Sequence, residues 1–299
     1  MPFLNGTDVD RIEQARNHVV AQITERIDRF PAFCPVFPWT LVNRAQSYIF
    51  DLPPESLRRI RLHADAMNGI LGASEYLRIA DGATFCKDTG YLFLGEGVPI
   101  DKWAREYDLP GMEDVKFGVQ YKDLIVGSMT GQRQQNICNL YRMIGDEAER
   151  LIFVEIGAGY GSFALDMRRI LPDCAYVIVD LPETLLYSAA YLSAHRPDLR
   201  AYIYAPGDDP GAVLAHPDSF DLAFIPNYRA SMIDALPHID IGFNSVSFPE
   251  MTEEAVRQYL TLIAPKLRRF FMSVNYRQPA DVKHRGVDNL LAERFRLFP

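Results

Sequence analysis

Residues 151–161, LIFVEIGAGYG, constrain the fold of this chain more than any other stretch. A short apolar run carrying one acid ends in three alternating glycines, and helical text begins at once with Ser162. A strand that turns sharply into a helix needs small residues there, because the backbone must bend and let a ligand come close. The first helical turn then leaves free N–H groups to receive it. The rest of the sequence supplies the setting such a turn requires. Strand-like pieces at 175–179, 201–204, 222–225, 239–243 and 270–274 alternate with helical text at 162–171, 182–194 and 253–267. Strands alternating with helices imply βαβ units, so the expected class is α/β with a parallel, Rossmann-like sheet.

The spacing of the glycines discriminates between ligands. A dinucleotide fingerprint, GxGxxG, wants glycine or alanine at 162; this chain has Ser162, and its third glycine arrives one residue early. Glu155 stands immediately before the turn, where a carboxylate would repel a pyrophosphate but suits an ammonium. Asp180 ends the second strand, 19 residues after Gly161, where an acid can accept both hydroxyls of a ribose. A nucleoside bearing an ammonium and no phosphate fits both, and S-adenosylmethionine is one. The plainer alternative makes Glu155 and Asp180 capping or solvated acids beside an ordinary βα turn.

With strand, glycine turn, helix, strand and acid in order, Glu155-Ile-Gly-Ala-Gly-Tyr-Gly161 resembles the first motif of the class I S-adenosylmethionine-dependent methyltransferases. The stretches VEIGAGYGSFA, YVIVDLPETLLYSAAYL and DIGFNSVSFPEMTEEAVRQYL are similar to sugar O-methyltransferases of bacterial sugar and natural-product pathways. The resemblance spans roughly residues 130–276 and is loose before them. It implies a Rossmann-like class I methyltransferase sheet in which Gly157, Gly159 and Gly161 border the methionine moiety, with Glu155 and Ala158 also binding the cofactor. Asp180 then holds the ribose, Leu181 packs beside the adenosine, and Pro226 and Asn227 reach the adenine side. The loop from Asn244 to Met251 would face both the sulfonium and the acceptor.

Methyl transfer to a hydroxyl needs alignment, exclusion of water and a general base, because a sugar hydroxyl is a weak nucleophile at neutral pH. Glu250, just past a strand, is the best-placed candidate, although Pro249-Glu250 also reads as the acidic first turn of a helix. His284 reaches the site only if the C-terminal segment folds over it, and His238 lies at the start of its strand, the wrong end for a parallel α/β site. Asn244 and Ser247 suit a hydroxylated acceptor or the cofactor's carboxylate; the alternative is that they satisfy backbone groups in a turn. Asn275 and Tyr276, at the end of the last strand, are further acceptor contacts by topology. No metal is expected: Asp208 and Asp209 sit in Pro-Gly-Asp-Asp-Pro-Gly, whose turn composition explains them. Tyr202, Tyr204 and Tyr228 are assigned to core packing ahead of sugar stacking.

Residues 1–130 read as a mainly helical portion and 131–299 as the cofactor domain. Thr7 caps a helix with inner face Ile12, Ala15, Val19, Ile23 and Ile27, ending before Pro31. A second helix is expected over 54–71 with Gly72 as its C-cap, loops and short helices over 82–118, and a helix over 132–149. These N-terminal helices cover the acceptor pocket, join two subunits in a homodimer, or simply pack within the chain. Only about 24 residues follow the last strand, scarcely enough for the antiparallel hairpin that usually completes such a sheet.

Charge and cysteine usage narrow the partners. The first 150 residues hold 17 basic and 21 acidic side chains and the remainder 14 and 18, about −4 in each half of a chain whose net charge is −8. That even acidic balance argues against nucleic acid and against a polybasic membrane surface. Four dispersed cysteines make neither a zinc ribbon nor a disulfide framework. With no signal-like N-terminus and no apolar run near ~18 residues, the expected location is cytoplasmic. The implied partner is a small, sugar-like acceptor. Competing functions are methyl transfer to a phenol, carboxylate or nitrogen, a nicotinamide-dependent dehydrogenase, and a catalytically silent protein that still holds the cofactor.

Overall fold

A computed structural model describes residues 3–36, 39–64, 119–121, 124–126, 130–144, 149–275 and 286–297. The glycine-ended run forms strand β3 (Leu151–Ile156), central in a six-stranded sheet with β4 (Cys174–Asp180), β5 (Ala201–Ile203), β6 (Leu222–Pro226), β7 (Ile239–Ser245) and β8 (Leu267–Val274). Their order is β5-β6-β4-β3-β7-β8, and every neighbouring pair is parallel. The only other strands among the described residues are β1 (Val119–Tyr121) and β2 (Leu124–Val126), an antiparallel pair of their own. β3 to β7 are buried along nearly their whole length because both faces of the sheet are covered.

Alternation along each strand builds two cores. Phe153, Tyr176, Phe224 and Phe243 point to one face, under helices α1 (Asp8–Arg29), α5 (Thr130–Ile144), α6 (Ser162–Ile170) and α7 (Pro182–His195). Val154, Val177, Ala223 and Ile225 point to the other, under α9 (Glu253–Ile263), α10 (Val287–Ala292) and the 3-10 turns of 227–235. Each fully buried large side chain contributes roughly 1.5–3 kcal/mol. The chain runs from β3 to β4 on one side and later returns with β7 on the other. The order therefore reverses between β3 and β7, and the crevice outside their carboxyl ends is where such sheets bind ligands.

Helix α1 begins as expected: Thr7 and Asp10 form a capping box. It packs on α7, and Arg11 donates to the carbonyls of Pro197 and Leu199, both at 2.8 Å. Phe3 bridges antiparallel to Tyr202, and Leu4 N–H donates to Ala201 at 2.9 Å, which covers the outer edge of β5. One expectation fails: Ile27 is 57% exposed, while Gln22, Glu25 and Arg26 turn inward. The last turns of α1 face polar partners, with Arg26 paired to Glu183 at 2.6 Å and Glu25 accepting from the Tyr204 and Tyr228 hydroxyls. The buried face follows those partners away from the aliphatic stripe.

The helix expected over 54–71 is broken within its described part into α3 (Pro54–Leu57) and α4 (Arg61–Ala64). Bonds such as Ile60 N–H to Leu57 O, at 3.0 Å, close i to i+3 and tighten the backbone between them, yet Leu57, Ile60 and Ala64 are buried as the stripe requires. Gly72, the loops and short helices of 82–118 and the chain just past β8 lie outside the described residues. Helix α5 is described as far as Ile144, and residues 145–148 of the helix expected to 149 lie outside the described residues. Among the described residues no helix is long and apolar enough to cross a membrane.

Candidate functional site

A cavity of about 520 Å³ opens at the carboxyl ends of β3, β4 and β7, inside the range of small-molecule sites. Its first wall is the glycine turn, held in a backbone that L side chains resist: φ is +75° at Gly157, +59° at Gly159 and +85° at Gly161. Each glycine is needed for a different reason. A Cβ at Gly157 would lie 2.1 Å from Ser247 Oγ; at Gly161 it would press on Ser188 and Leu192, at 3.1 and 3.2 Å; at Gly159 it would meet nothing within 4 Å. Gly159 thus leaves open room on the cavity side, whereas Gly157 admits the β7 loop and Gly161 admits α7.

Two acids complete this wall. Glu155 is 3% exposed and accepts a 2.7 Å hydrogen bond from the Tyr176 hydroxyl. Burial pushes its carboxyl up to about 8, Asp180 adds repulsion, and the Tyr176 bond opposes the rise. Asp180 accepts from the N–H of Gly159 at 3.0 Å and of Leu181 at 2.7 Å, tying the second strand to the glycine turn. Burial raises it to about 7 despite those N–H groups, with Glu250 repelling it across the cavity. A carboxylate has about four lone-pair positions, so Asp180 retains acceptor capacity toward a ligand.

The loop after β7 forms the floor. Val246 has φ +67°, a strained value for a β-branched residue, and Ser247 N–H closes back on Ser245 O at 2.8 Å in a γ-turn centred on it. Val246 lines the cavity, as strained residues at ligand sites often do. Asn244 is fully buried and lies beneath the floor. Its amide nitrogen donates to Ile156 O at 2.9 Å and Ser247 Oγ at 2.5 Å, and its oxygen accepts from Asn275 at 3.0 Å. Asn244 and Asn275 therefore tie β3, β7 and β8 together at the switch point.

The site residues read from sequence divide accordingly. Glu155, Gly157, Ala158, Gly159, Asp180, Leu181, Asn227, Ser247 and Glu250 line one cavity, while Gly161, Pro226, Asn244 and Asn275 are not among its lining residues. Tyr276 and His284 lie outside the described residues. His238 pairs with Asp240 at 3.2 Å at the start of β7, away from the cavity. Asp208 and Asp209 accept from the backbone of Ala205 and Gly211, each at 3.0 Å, as turn residues.

Sequence reasoning missed the opposite wall. After α1 the chain crosses the carboxyl edge of the sheet: Phe30 stacks on Tyr228 at 5.1 Å, Phe33 O accepts from Asn227, and Phe33, Pro35, Val36 and Trp39 line the cavity. Trp39 Nε1 donates to Glu250 Oε2 at 2.9 Å, and burial raises Glu250 while this bond lowers it. Arg133 and Asn136 of α5 enter from the other side, and Arg133 is fixed by a buried 2.8 Å bond to Asp166. Thr184 also lines the cavity, 2% exposed, with no hydrogen-bond partner for its hydroxyl. The available signal was PAFCPVFPW, an apolar run too broken by prolines to be a helix and too apolar for a free loop. Arg133 and Thr184 carried none.

The all-parallel sheet with helices on both faces, its switch point and the glycine turn define a Rossmann-like α/β protein with a cavity at its switch point. No protein-family model matches the chain, and no curated protein matches it. Among solved structures, one similar protein is the pyocyanin biosynthetic protein PhzM, at 15% identity and a TM-score of 0.31, covering 47% of this chain and 34% of that one. Another is precorrin-6y C5,15-methyltransferase from Geobacter metallireducens GS-15, at 16% identity and a TM-score of 0.30, covering 55% and 69%. The chain thus spans about a third of the length of PhzM. Both likenesses are partial, and the fold assignment rests on the sheet itself, all parallel and covered by helices on both faces.

Proposed function

We propose that this chain is an S-adenosylmethionine-dependent O-methyltransferase acting on a hydroxyl of a sugar or glycosylated small metabolite. The observation that carries the cofactor half is the meeting of Glu155, Asp180 and the open face of Gly159 in one cavity. Two buried carboxyls are hostile to a diphosphate and favourable to an ammonium and a ribose. The residues fit the group: Asp180 has acceptor capacity for ribose hydroxyls, and Arg133 with Glu155 complements the carboxylate and ammonium of an amino-acid tail. The Thr184 hydroxyl and Asn227 Oδ1 are polar atoms without protein partners on the same walls.

The cofactor would supply an activated methyl group on a good leaving sulfur. The protein's part is to align the acceptor, exclude water and remove one proton. Glu250 lines the cavity across from Asp180, within reach of an acceptor as a base must be, and burial raises its carboxyl above the ordinary glutamate value while the Trp39 bond lowers it. Support for a sugar-like acceptor comes from the sequence resemblance and from the even acidic balance, which disfavours a polyanion.

Calorimetry tests the cofactor reading. Binding of S-adenosylhomocysteine without binding of NAD supports it, and no binding of S-adenosylhomocysteine ends it. A methyl-transfer screen on glycosides, phenols and amines then separates an active enzyme from a silent relative and identifies the acceptor class.

A further inference from the structure

We infer that Trp39 is a positioning residue for Glu250: its indole N–H holds one carboxyl oxygen, leaving the other to face the acceptor. This inference rests on the reading of Glu250 as the base of the methyl-transfer site. Trp39 and Glu250 are 211 residues apart, and both line the cavity. The indole N–H is a donor only, so the 2.9 Å bond occupies one lone pair of Oε2 and orients the carboxyl. A merely structural anchor for residues 31–39 would find a backbone carbonyl or water equally serviceable. Here the anchor is the side chain at the mouth of the β7 loop, beside Met251 and opposite the Gly157 turn.

The acceptor's hydroxyl proton passes to the free oxygen of Glu250 while the hydroxyl oxygen's lone pair forms the new bond to the methyl carbon. The pair of the broken carbon–sulfur bond stays on sulfur, so Glu250 ends neutral and the donor loses its positive charge. A donor on Oε2 lowers the carboxyl's proton affinity and favours the ionised form that begins this step. The groups facing Glu250 around the cavity are Asp180 of β4, Glu155 of β3, Tyr259 of α9, Cys34 of the crossing segment, and Arg133 of α5, itself paired with Asp166. Of these, only Arg133 is a cation, and it is held by Asp166; Trp39 donates directly to Glu250 and works against the rise that burial causes.

The test uses the two-tryptophan composition of the chain. In a Trp103→Phe background, Trp39 emission is followed from pH 4 to 9 in protein saturated with S-adenosylhomocysteine. The expected result is one titration step above the ordinary glutamate value of about 4.3. The step should vanish in Glu250→Gln, whose amide oxygen still accepts the indole N–H. In Trp39→Phe, carboxyl carbon NMR should show the Glu250 step moved to higher pH, with S-adenosylhomocysteine affinity within about threefold of the parent. If Trp39→Phe does not fold, the Glu250→Gln comparison decides alone. Emission indifferent to pH, a step that survives Glu250→Gln, or an unmoved Glu250 step overturns the inference while cofactor binding stands. Failure of the parent to bind S-adenosylhomocysteine overturns instead the function on which the inference rests.

Discussion

The glycine wall of the cavity, residues 155–162 with Asp180 and Leu181, comes from one βαβ unit. The facing wall joins Trp39 to Glu250 across 211 positions. The first is built mainly from backbone, with three left-handed glycines and two N–H groups clamped on Asp180. The second is built from side chains, an indole on a carboxyl and aromatic rings against the sheet edge. Backbone walls tolerate almost no substitution but hold their shape without partners. Side-chain walls are adjustable, and they exist only once the chain has closed its long-range contacts. The glycine wall is therefore fixed by local sequence, and the Trp39–Glu250 wall by tertiary structure.

The sharpest difference is electrostatic, and pH should expose it. Burial raises Glu155 from 4.5 to about 8 and Asp180 from 3.8 to about 7. Between the lower and upper values the folded state keeps protons that the unfolded chain has released. Their contribution to stability is then complete below pH ~4 and is lost as pH climbs through 7 and 8, by up to ~1.4 kcal/mol per pH unit for each group. Glu155→Gln keeps an acceptor for Tyr176 and removes the ionisation. We expect it to be more stable than the parent at pH 8, on the order of 2–4 kcal/mol by urea unfolding, and equal to it near pH 4. Matching curves at both pH values would place the charge of Glu155 in solvent and dissolve the contrast between the walls.

Backbone construction gives the next largest effect. Gly157→Ala combines a left-handed φ with a Cβ 2.1 Å from Ser247 Oγ, so a destabilisation of about 2–4 kcal/mol is expected. Gly159→Ala meets no atom within 4 Å and should cost only about 1 kcal/mol in stability. Its methyl group projects into the open side, so it should weaken S-adenosylhomocysteine more than its small stability cost suggests. If the two variants unfold alike, the glycines are general turn residues and not specialists. For the acid that closes the turn, Asp180→Ala should weaken S-adenosylhomocysteine by about 1.5–3 kcal/mol. Unchanged calorimetric affinity would remove Asp180 from the site.

How much of this was legible in the sequence follows the same division. Strands β3 and β4 showed as short apolar runs, β6 and β7 as strand-like pieces, the Thr7 cap as a capping residue before an amphipathic stripe, and the glycine turn by its spacing. Each is decided within a few residues. The inward turn of Gln22, Glu25 and Arg26 was not legible, because it depends on Tyr204, Tyr228 and Glu183 arriving from far along the chain. Asn244 carried a polar side chain at a strand end, which sequence reads equally as a ligand contact or a tie; the fold decided for a tie to Ile156 and Asn275. The proline-broken segment before Trp39 was visible as an anomaly, but nothing local said which carboxyl it would find.

Thr184 offers the smallest and most discriminating probe of the glycine wall. It sits in the first turn of α7, four residues past Asp180, 2% exposed and with its hydroxyl unpartnered. A buried hydroxyl without a partner costs about 1–3 kcal/mol, so Thr184→Val, which keeps the shape, should leave the ligand-free protein equal to or more stable than the parent by up to about 1 kcal/mol. If that hydroxyl is retained for the ligand, the same variant should bind S-adenosylhomocysteine less tightly, by about 1 kcal/mol or roughly fivefold. The two effects have opposite signs, which no general loosening of α7 can produce. Lower stability together with weaker binding would mean that Thr184 serves packing alone. Higher stability with unchanged binding would place the ligand's polar atoms elsewhere on the wall, toward Asn227.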